Sequence, residues 1–372
     1  YRPHEKYSTY LSGDHQLFDK HLEMFVSAYY VRNTSLNQLA PSPLSASLGQ
    51  RPLPTSNYWV RQVFPGSPTN GVMTVGYRPV ELGPRVTRWE FENFHGVAGL
   101  KGQIGESSWN WDLTFLWDRT TIDNIQTGGV RATEYSRLLT LGTSDAWNPF
   151  GYTPIGGTTV VNPISTVQGL SASGLTKDLY SVMSLDFNVG GDVFDLPGGT
   201  VSTSIGGVTR RDKLDHRPDF ALEQELIFPF NQDTPFAAQR DIDAAYGEFF
   251  VPVFGNDFTI PAFSSLSFSG ALRYEEFSDV GDTGVKPRVS FRWQPVGKDL
   301  TIRGSYAEGF IAPSFSALYA TPGQNFIEVL NPITGLREQP PDAVIQFGNP
   351  NLKPSEAENW LVGFVYSPEY VK

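Results

Sequence analysis

Five histidines, many carboxylates and no cysteine make up the reactive inventory of this 372-residue chain. His4, His15, His21, His95 and His216 are scattered, and none sits with a second histidine and a carboxylate at a metal-ligand spacing. His15 and His21 flank a short turn and are the one pair that could reach a common metal; exposed turn histidines are the plainer reading. Glu275 and Glu276 are adjacent, so on a strand they face opposite ways and cannot flank one glycosidic bond. Asp112 and Asp118 share a strand face but lie about 20 Å apart at about 3.3 Å per residue, which suits charges facing a hydrated interior. No G-x-S-x-G elbow or phosphate-binding loop occurs, and the glycine-rich GGDVFDLPGG reads as a tight turn. No catalytic, metal-ligating or cofactor-binding residue is assigned, no cofactor is expected, and no enzymatic activity is expected.

Composition narrows the classes further. A net charge of −11 without a basic stripe argues against nucleic acid as a partner. The absence of cysteine suits an oxidising compartment, where stray disulfides are a hazard. No apolar run reaches the ~18–20 residues of a membrane helix. Strands that cross a membrane need only alternation, however, so hydropathy does not exclude them. The chain begins at Tyr1 without a methionine or an apolar leader, and is expected to be a fragment or a processed chain.

Alternation is the dominant pattern. Trp109, Trp111, Leu113, Phe115 and Trp117 share one face, with Asn110, Asp112, Thr114, Leu116 and Asp118 on the other. Leu266, Phe268, Gly270, Leu272 and Tyr274 oppose Ser267, Ser269, Ala271, Arg273 and Glu275. Val285, Pro287, Val289, Phe291 and Trp293 oppose Lys286, Arg288, Ser290, Arg292 and Gln294. Residues 179–189 and 360–366 each add a continuous apolar face. Such strands run to about 10 residues, enough to cross a bilayer at the usual tilt, and many apolar faces end in Trp or Tyr as an interfacial girdle requires. A soluble β-sandwich would alternate similarly, so the connections must decide.

The predicted strands are 7–17, 22–33, 88–104, 109–120, 178–194, 200–211, 240–253, 263–278, 285–295, 300–309 and 357–367. Short links (DKHL, GESS, DLPGG, GNDFTIPA, PVGKD) alternate strictly with a second set that is mostly long: 34–87, 121–177, 212–239 and 310–356, with DVGDTG its one short member. Short turns on one side and long loops on the other mark an outer-membrane barrel; a sandwich has no reason to segregate them. RATEYSRLLTLG (131–142) is predicted to form a short helix within a loop. Residues 1–372 are expected to form one structural unit. In RGSYAEGFIAPSFSALY (303–319), Pro313 lacks an N–H and should end a strand at the membrane rim, with Phe315 and Leu318 covering the loop base.

Several stretches resemble the barrel of TonB-dependent outer-membrane receptors. ALRYEEFSDVGDTGVKPRVSFRWQP is similar to a hairpin of that family, DLTIRGSYAEGFIAPSFSALY to its next strand, and GNPNLKPSEAENWLVGFVYSP to the Asn-Pro-x-Leu-Lys-Pro motif opening a following strand. WNPFG and DAAYGEFFVPV fit upstream, so the resemblance spans roughly residues 70–370. Ser355 departs from the glutamate common after Lys-Pro, with Glu356 as its neighbouring substitute.

The resemblance implies an all-β, transmembrane antiparallel β-barrel with long extracellular loops, of which these strands are roughly half of ~22. It also implies a plug domain and last strands, which are expected to lie outside these 372 residues. The implied function is TonB-energised uptake of a scarce nutrient (siderophore, cobalamin, saccharide or peptide) across the cell outer membrane of a Gram-negative bacterium. A passive porin-like barrel and a secreted soluble β-sandwich that binds carbohydrate are the alternatives. The implied partners are outer-membrane lipid and lipopolysaccharide, an extracellular small-molecule ligand, and the TonB complex through the plug. Ligand contacts would come from loops and lumen: Tyr135, Trp147 and Phe150 could stack on a ligand, although packing the loop onto itself is the preferred reading. RRDKLDHRPD (210–219) is read as a solvated face, with lipopolysaccharide or ligand contact as the alternative. No ligand-binding residue is assigned.

Overall fold

The computed structural model describes residues 3–44, 52–73, 75–76, 78–151, 154–255, 258–320, 323–325, 329–338 and 344–367. Eleven long strands form one antiparallel sheet in chain order, each paired with its neighbours in sequence. They are β1 (His4–Phe18), β2 (Leu22–Leu39), β3 (Arg85–Gln103), β4 (Asn110–Arg131), β5 (Ser171–Leu196) and β6 (Gly199–Pro218), followed by β7 (Phe236–Phe254), β8 (Ser265–Phe277), β9 (Gly281–Val296), β10 (Leu300–Ile311) and β11 (Ser355–Tyr366). All eleven predicted strands are present, but they span 12 to 26 residues rather than about 10. The excess lies at the long-loop end, where pairing continues beyond the apolar stretch into residues that alternate without being hydrophobic. Turns at one end are tight, and Asn256 and Asp257 of the GNDFTIPA turn lie outside the described residues.

The two faces differ as alternation requires. The sheet curls, and its concave face lines an open cavity of about 1050 Å³ with residues from β4 to β10. The convex face is an apolar belt: Ile205, Leu272 and Val289 are 57%, 52% and 50% exposed, an arrangement that needs an apolar surrounding. The belt's upper edge is Trp117 on β4 and Tyr274 on β8, for the next outward residues are Arg119 and Glu276. Through the register, Tyr274 is level with Leu113 of β4. The edge therefore falls by about 13 Å along the strand over four strand spacings of about 19 Å in total. The lower edge falls from Trp111 on β4 to Trp293 on β9 in the same sense. Both slopes correspond to strands tilted by about 35–40°, the tilt of a closed barrel.

Large rings lie across glycines on the adjoining strand. Phe249 faces Gly270 and Phe291 faces Gly304 in direct cross-strand pairs, and a Cβ on Gly304 would meet the Phe291 ring at 2.5 Å. The ring covers a backbone that would otherwise lack packing, and the glycine lets the ring lie flat.

A curled sheet with a polar inside has no core of its own. The buried hydrophobic cluster lies instead in the long loops: Leu44, Leu53, Val60, Tyr135, Leu139 and Trp147 are among its members, with Val130 from the end of β4. Two helices contribute, α1 (Tyr58–Val63) and α2 (Ala132–Leu139); the second matches the helix predicted at 131–142. Three more helices were not predicted: α3 (Ile164–Leu170), α4 (Phe220–Glu223) and α5 (Phe315–Tyr319). None of the helices among the described residues is long and apolar enough to cross a membrane.

Gly304→Val should displace the Phe291 ring and cost about 1–3 kcal/mol as overpacking. Faster amide exchange across β9 and β10 would register it. Gly309→Ala, whose new methyl meets nothing within 4 Å, should leave those amides unchanged; equal protection in both variants would refute the ring–glycine account.

Candidate functional site

The concave wall and the loops above it are the surfaces available to a ligand. On the upper wall, charges are matched: Arg210 holds Asp212 at 2.6 Å, Arg273 bonds Glu275 at 2.7 Å, and Lys286 donates to Glu356 at 2.8 Å. Each arginine pair lies two residues apart on one strand, which alternation puts on one face. Lower down, Arg288, Arg292 and Arg303 form no ion pair among the described residues, and Arg292 stands directly opposite Arg303. Hydroxyls line this lower stretch, with Ser269 and Ser290 hydrogen-bonded at 2.7 Å.

Above β2–β5, two long loops are joined into one body by buried asparagines. Asn57, fully buried, caps α1 by accepting from the N–H groups of Trp59 and Val60. Its Nδ2 donates across to the carbonyls of Leu139 and Trp147 at 3.0 and 3.2 Å. Asn148 donates to Val160 O at 2.7 Å, and its own N–H donates to Asn162 Oδ1 at 2.8 Å. Each amide satisfies backbone groups that a loop leaves unpaired. Tyr135 and Trp147 are 4% and 0% exposed, and Phe150 packs against the same cluster. The aromatics considered as stacking platforms therefore hold the loop together, as preferred above.

A second buried junction lies where β10 leaves the sheet. Arg240 and Asp279 form a bidentate pair, their side chains 9% and 8% exposed. The guanidinium also donates to Pro313 O at 2.8 Å and lies against the rings of Phe277 and Phe315. β10 ends at Ile311, two residues before that proline, and Leu318 of α5 is buried, as expected for a rim cover. The Asn-Pro-x-Leu-Lys-Pro stretch closes onto the same helix, Asn349 N donating to Ala317 O at 2.8 Å. Motifs far apart in the chain thus meet at one rim.

The third junction is His216. Its Nδ1 is 2.6 Å from Asp178 Oδ1 and its Nε2 2.7 Å from Asp233 Oδ1. Thr176 donates to the other Asp233 oxygen at 2.8 Å. Hydrogen bonds to Asp178 and then Asp233 lift the imidazole to about 9, so it is charged at neutral pH and ties residues 219–235 to β5 and β6. Burial raises the Asp233 carboxyl, but the bonds from His216 and Thr176 outweigh it and leave the group below its ordinary value.

The family described as TonB dependent receptor-like, beta-barrel matches residues 29–371. The chain belongs to that family. Its members are outer-membrane receptors and transporters rather than enzymes. Among solved structures, the chain is similar to the siderophore receptor PirA from Pseudomonas aeruginosa, with 9% identity and a TM-score of 0.37 over 98% of this chain and 53% of that one. The ferric enterobactin receptor PfeA from the same organism gives 12%, 0.37, 98% and 51% for a double mutant. PirA from Acinetobacter baumannii gives 11%, 0.42, 98% and 51%. This chain spans about half the length of those receptors. No curated protein matches it.

In this TonB-dependent receptor-like barrel, the other histidines have structural places. His95 stacks on Tyr29 and bonds Asp118 at 3.0 Å on the concave face, while His21 sits beside Gln103 O at 3.2 Å in a turn. His15 lies opposite Met24 on the exposed edge strand. Among the described residues no group of His, Asp and Glu is arranged to hold a metal. The charge cluster 210–219 divides by parity: Arg210, Asp212 and His216 turn inward, whereas Arg211, Lys213, Asp215 and Arg217 turn outward. Sequence reasoning did not find Asn57, Asp233 or the Arg240–Asp279 pair; only a buried arginine at a strand start beside a loop carboxylate could have pointed to the last.

Arg240→Met should leave Asp279 buried without a partner and destabilise the rim by about 3–5 kcal/mol. The paired change Arg240→Met with Asp279→Leu should recover most of that loss. Exchange protection of residues 312–320 reads both; equal loss in the single and paired variants would contradict the clasp.

His216 is raised above its unfolded value of about 6.5, so its contribution is complete below pH 6.5 and is lost as pH rises through about 9. Intrinsic-rate-corrected exchange of residues 219–235 should accelerate over that window. His216→Gln should remove the pH dependence there, and a wild-type loop with flat protection from pH 6.5 to 10 would show that the two aspartates do not hold it.

Proposed function

We propose that residues 1–372 act as one unit, the wall and extracellular loops of an outer-membrane receptor that imports a scarce nutrient with energy from the TonB system. The observation that carries this reading is the two-faced wall: an apolar convex belt tilted like a barrel, a charged concave face, and every extended loop at one end. Family membership supports the same placement. The outer edges of β1 and β11 are unpaired among the described residues. Unpaired backbone groups are costly in lipid, so the wall is a sector of a larger barrel that the rest of the protein closes.

The matched charges of the upper wall and the hydroxyl-lined arginines below suit a hydrated passage for a polar ligand. The siderophore complexes known for structural neighbours make an iron chelate the first candidate to try, with cobalamin, saccharides and peptides beside it.

The test is uptake by cells carrying the full-length gene. Labelled ferric siderophores, cobalamin, oligosaccharides and peptides are offered with the gene intact, with the gene deleted, and with TonB removed. Uptake of one class should require both the gene and TonB. Uptake that needs the gene but not TonB would make this a passive porin-like barrel, and recovery of the protein in the aqueous fraction would overturn the membrane placement.

A further inference from the structure

We propose that the convex wall just above the apolar belt binds the phosphorylated headgroup of an outer-leaflet glycolipid through Arg119 of β4, Ser181 of β5 and Lys213 of β6. The inference rests on the membrane placement proposed above. The register puts the three residues in one row on adjacent strands: Arg119 faces Ser181, and Ser181 faces Lys213. Their parity is that of Trp117, Met183 and Arg211, so all three point outward. Two strand spacings, about 10 Å, separate the cations, and both side chains are long enough to converge over the hydroxyl between them.

These are the unmatched cations of a face whose neighbouring charges are matched. Arg211 is held by Asp241 at 2.6 Å, Lys177 by Asp123 at 3.4 Å, and Arg217 by Asp215. Arg32 and Arg88 share Glu90 at 3.2 and 2.7 Å. Arg119 and Lys213 are exposed and make no ion pair among the described residues, Lys213 acting only at longer range on Asp241, which Arg211 already holds. A phosphate accepts hydrogen bonds from guanidinium, ammonium and hydroxyl together, and charge-assisted bonds of this kind are the strong ones. The nearest outward carboxylates are Glu92, diagonal to Arg119 across β3, and Asp215 and Asp241 beside Lys213, and each is already engaged by an arginine.

Height selects a lipid rather than a free anion. From Trp111, the belt's lower edge, to Arg119 the chain rises about 26 Å along the strand, or about 20 Å along the barrel axis at a tilt near 40°, and Arg119 is the first outward residue beyond the Trp117 edge. Arg119 therefore stands at the upper boundary. Its row continues through Phe94 to Tyr30, and Phe94 packs on Trp117 with centroids 5.2 Å apart, the aromatic collar of an interface. Because the belt's edge falls from β4 towards β8, Lys213 stands about 5 Å farther out than Arg119. That step matches a headgroup with depth.

The purified full-length protein in detergent is titrated with a diphosphorylated lipid A and with its dephosphorylated form, and retained lipid is counted by native mass spectrometry. Wild type should retain the phosphorylated lipid alone. The pair Arg119→Gln with Lys213→Gln should lose about tenfold in apparent affinity, and Arg119→Lys with Lys213→Arg should restore it. Thermal unfolding of the two double variants should match wild type, because all the changed groups are exposed. Equal retention by the Gln pair would overturn the site. So would equal binding of the dephosphorylated lipid, or displacement of the lipid by millimolar inorganic phosphate, which would mark a free-anion site. A wild type that failed to enter micelles at all would instead defeat the membrane placement.

Discussion

In a bilayer no water is at hand for an unpaired N–H or C=O, so a strand can cross only inside a ladder. In the membrane placement proposed above, that requirement organises the rest of this molecule. A ladder built from sequence neighbours needs only short turns at one end, and the eleven strands pair in chain order without a crossover. Once the register is set, period-two alternation sends each side chain to lipid or to lumen. The convex belt and the charged concave wall are two readings of one register. The slope of the belt's edges across β4 to β9 follows from the tilt that closing such a ladder demands.

Burial is reassigned as a consequence. A soluble sheet would cover an apolar face with a second layer; in the proposed membrane placement lipid takes that place, and the protein's own hydrophobic core lies in the loops. The cluster around Leu139 and Trp147 serves to order loop backbone, and the asparagines inside it satisfy amides that no ladder reaches. Trp147 and Asn148 of the WNPFG stretch are buried for this reason. Their partners come from two loops separated by β3 and β4, so the loops fold as a pair.

The strands were legible because alternation is local: Trp109 to Asp118 announces its two faces without reference to any other residue. The strand lengths were not, since β5 keeps pairing through Ser171–Lys177, where the residues carry no hydrophobic period. Rim motifs could be recognised as a strand end, with Pro313 breaking the ladder and Leu318 turning inward. What they close upon could not, because Arg240, Asp279 and Asn349 lie far apart in sequence and meet only through register. His216 looked like one member of a solvated charge run. Parity alone separates it from Arg217, and its partner Asp233 arrives from a loop with no periodic signal.

Both ionic junctions at the rim, the buried Arg240 with Asp279 and the partly buried His216 with Asp178 and Asp233, sit where a strand gives way to a loop. The position has a physical cause. Along the wall the ladder satisfies the backbone, and side chains are free to meet lipid or lumen. Where the ladder stops, carbonyls such as that of Pro313 need another donor, and a guanidinium with five N–H groups can serve a carboxylate and a carbonyl at once. An ionic group also couples its loop to pH or to a single substitution in a way that a ladder bond does not. The wall and the loops are therefore held by different chemistry, divided at the rim: ladder hydrogen bonds below it, and ionic and side-chain-to-backbone contacts above it.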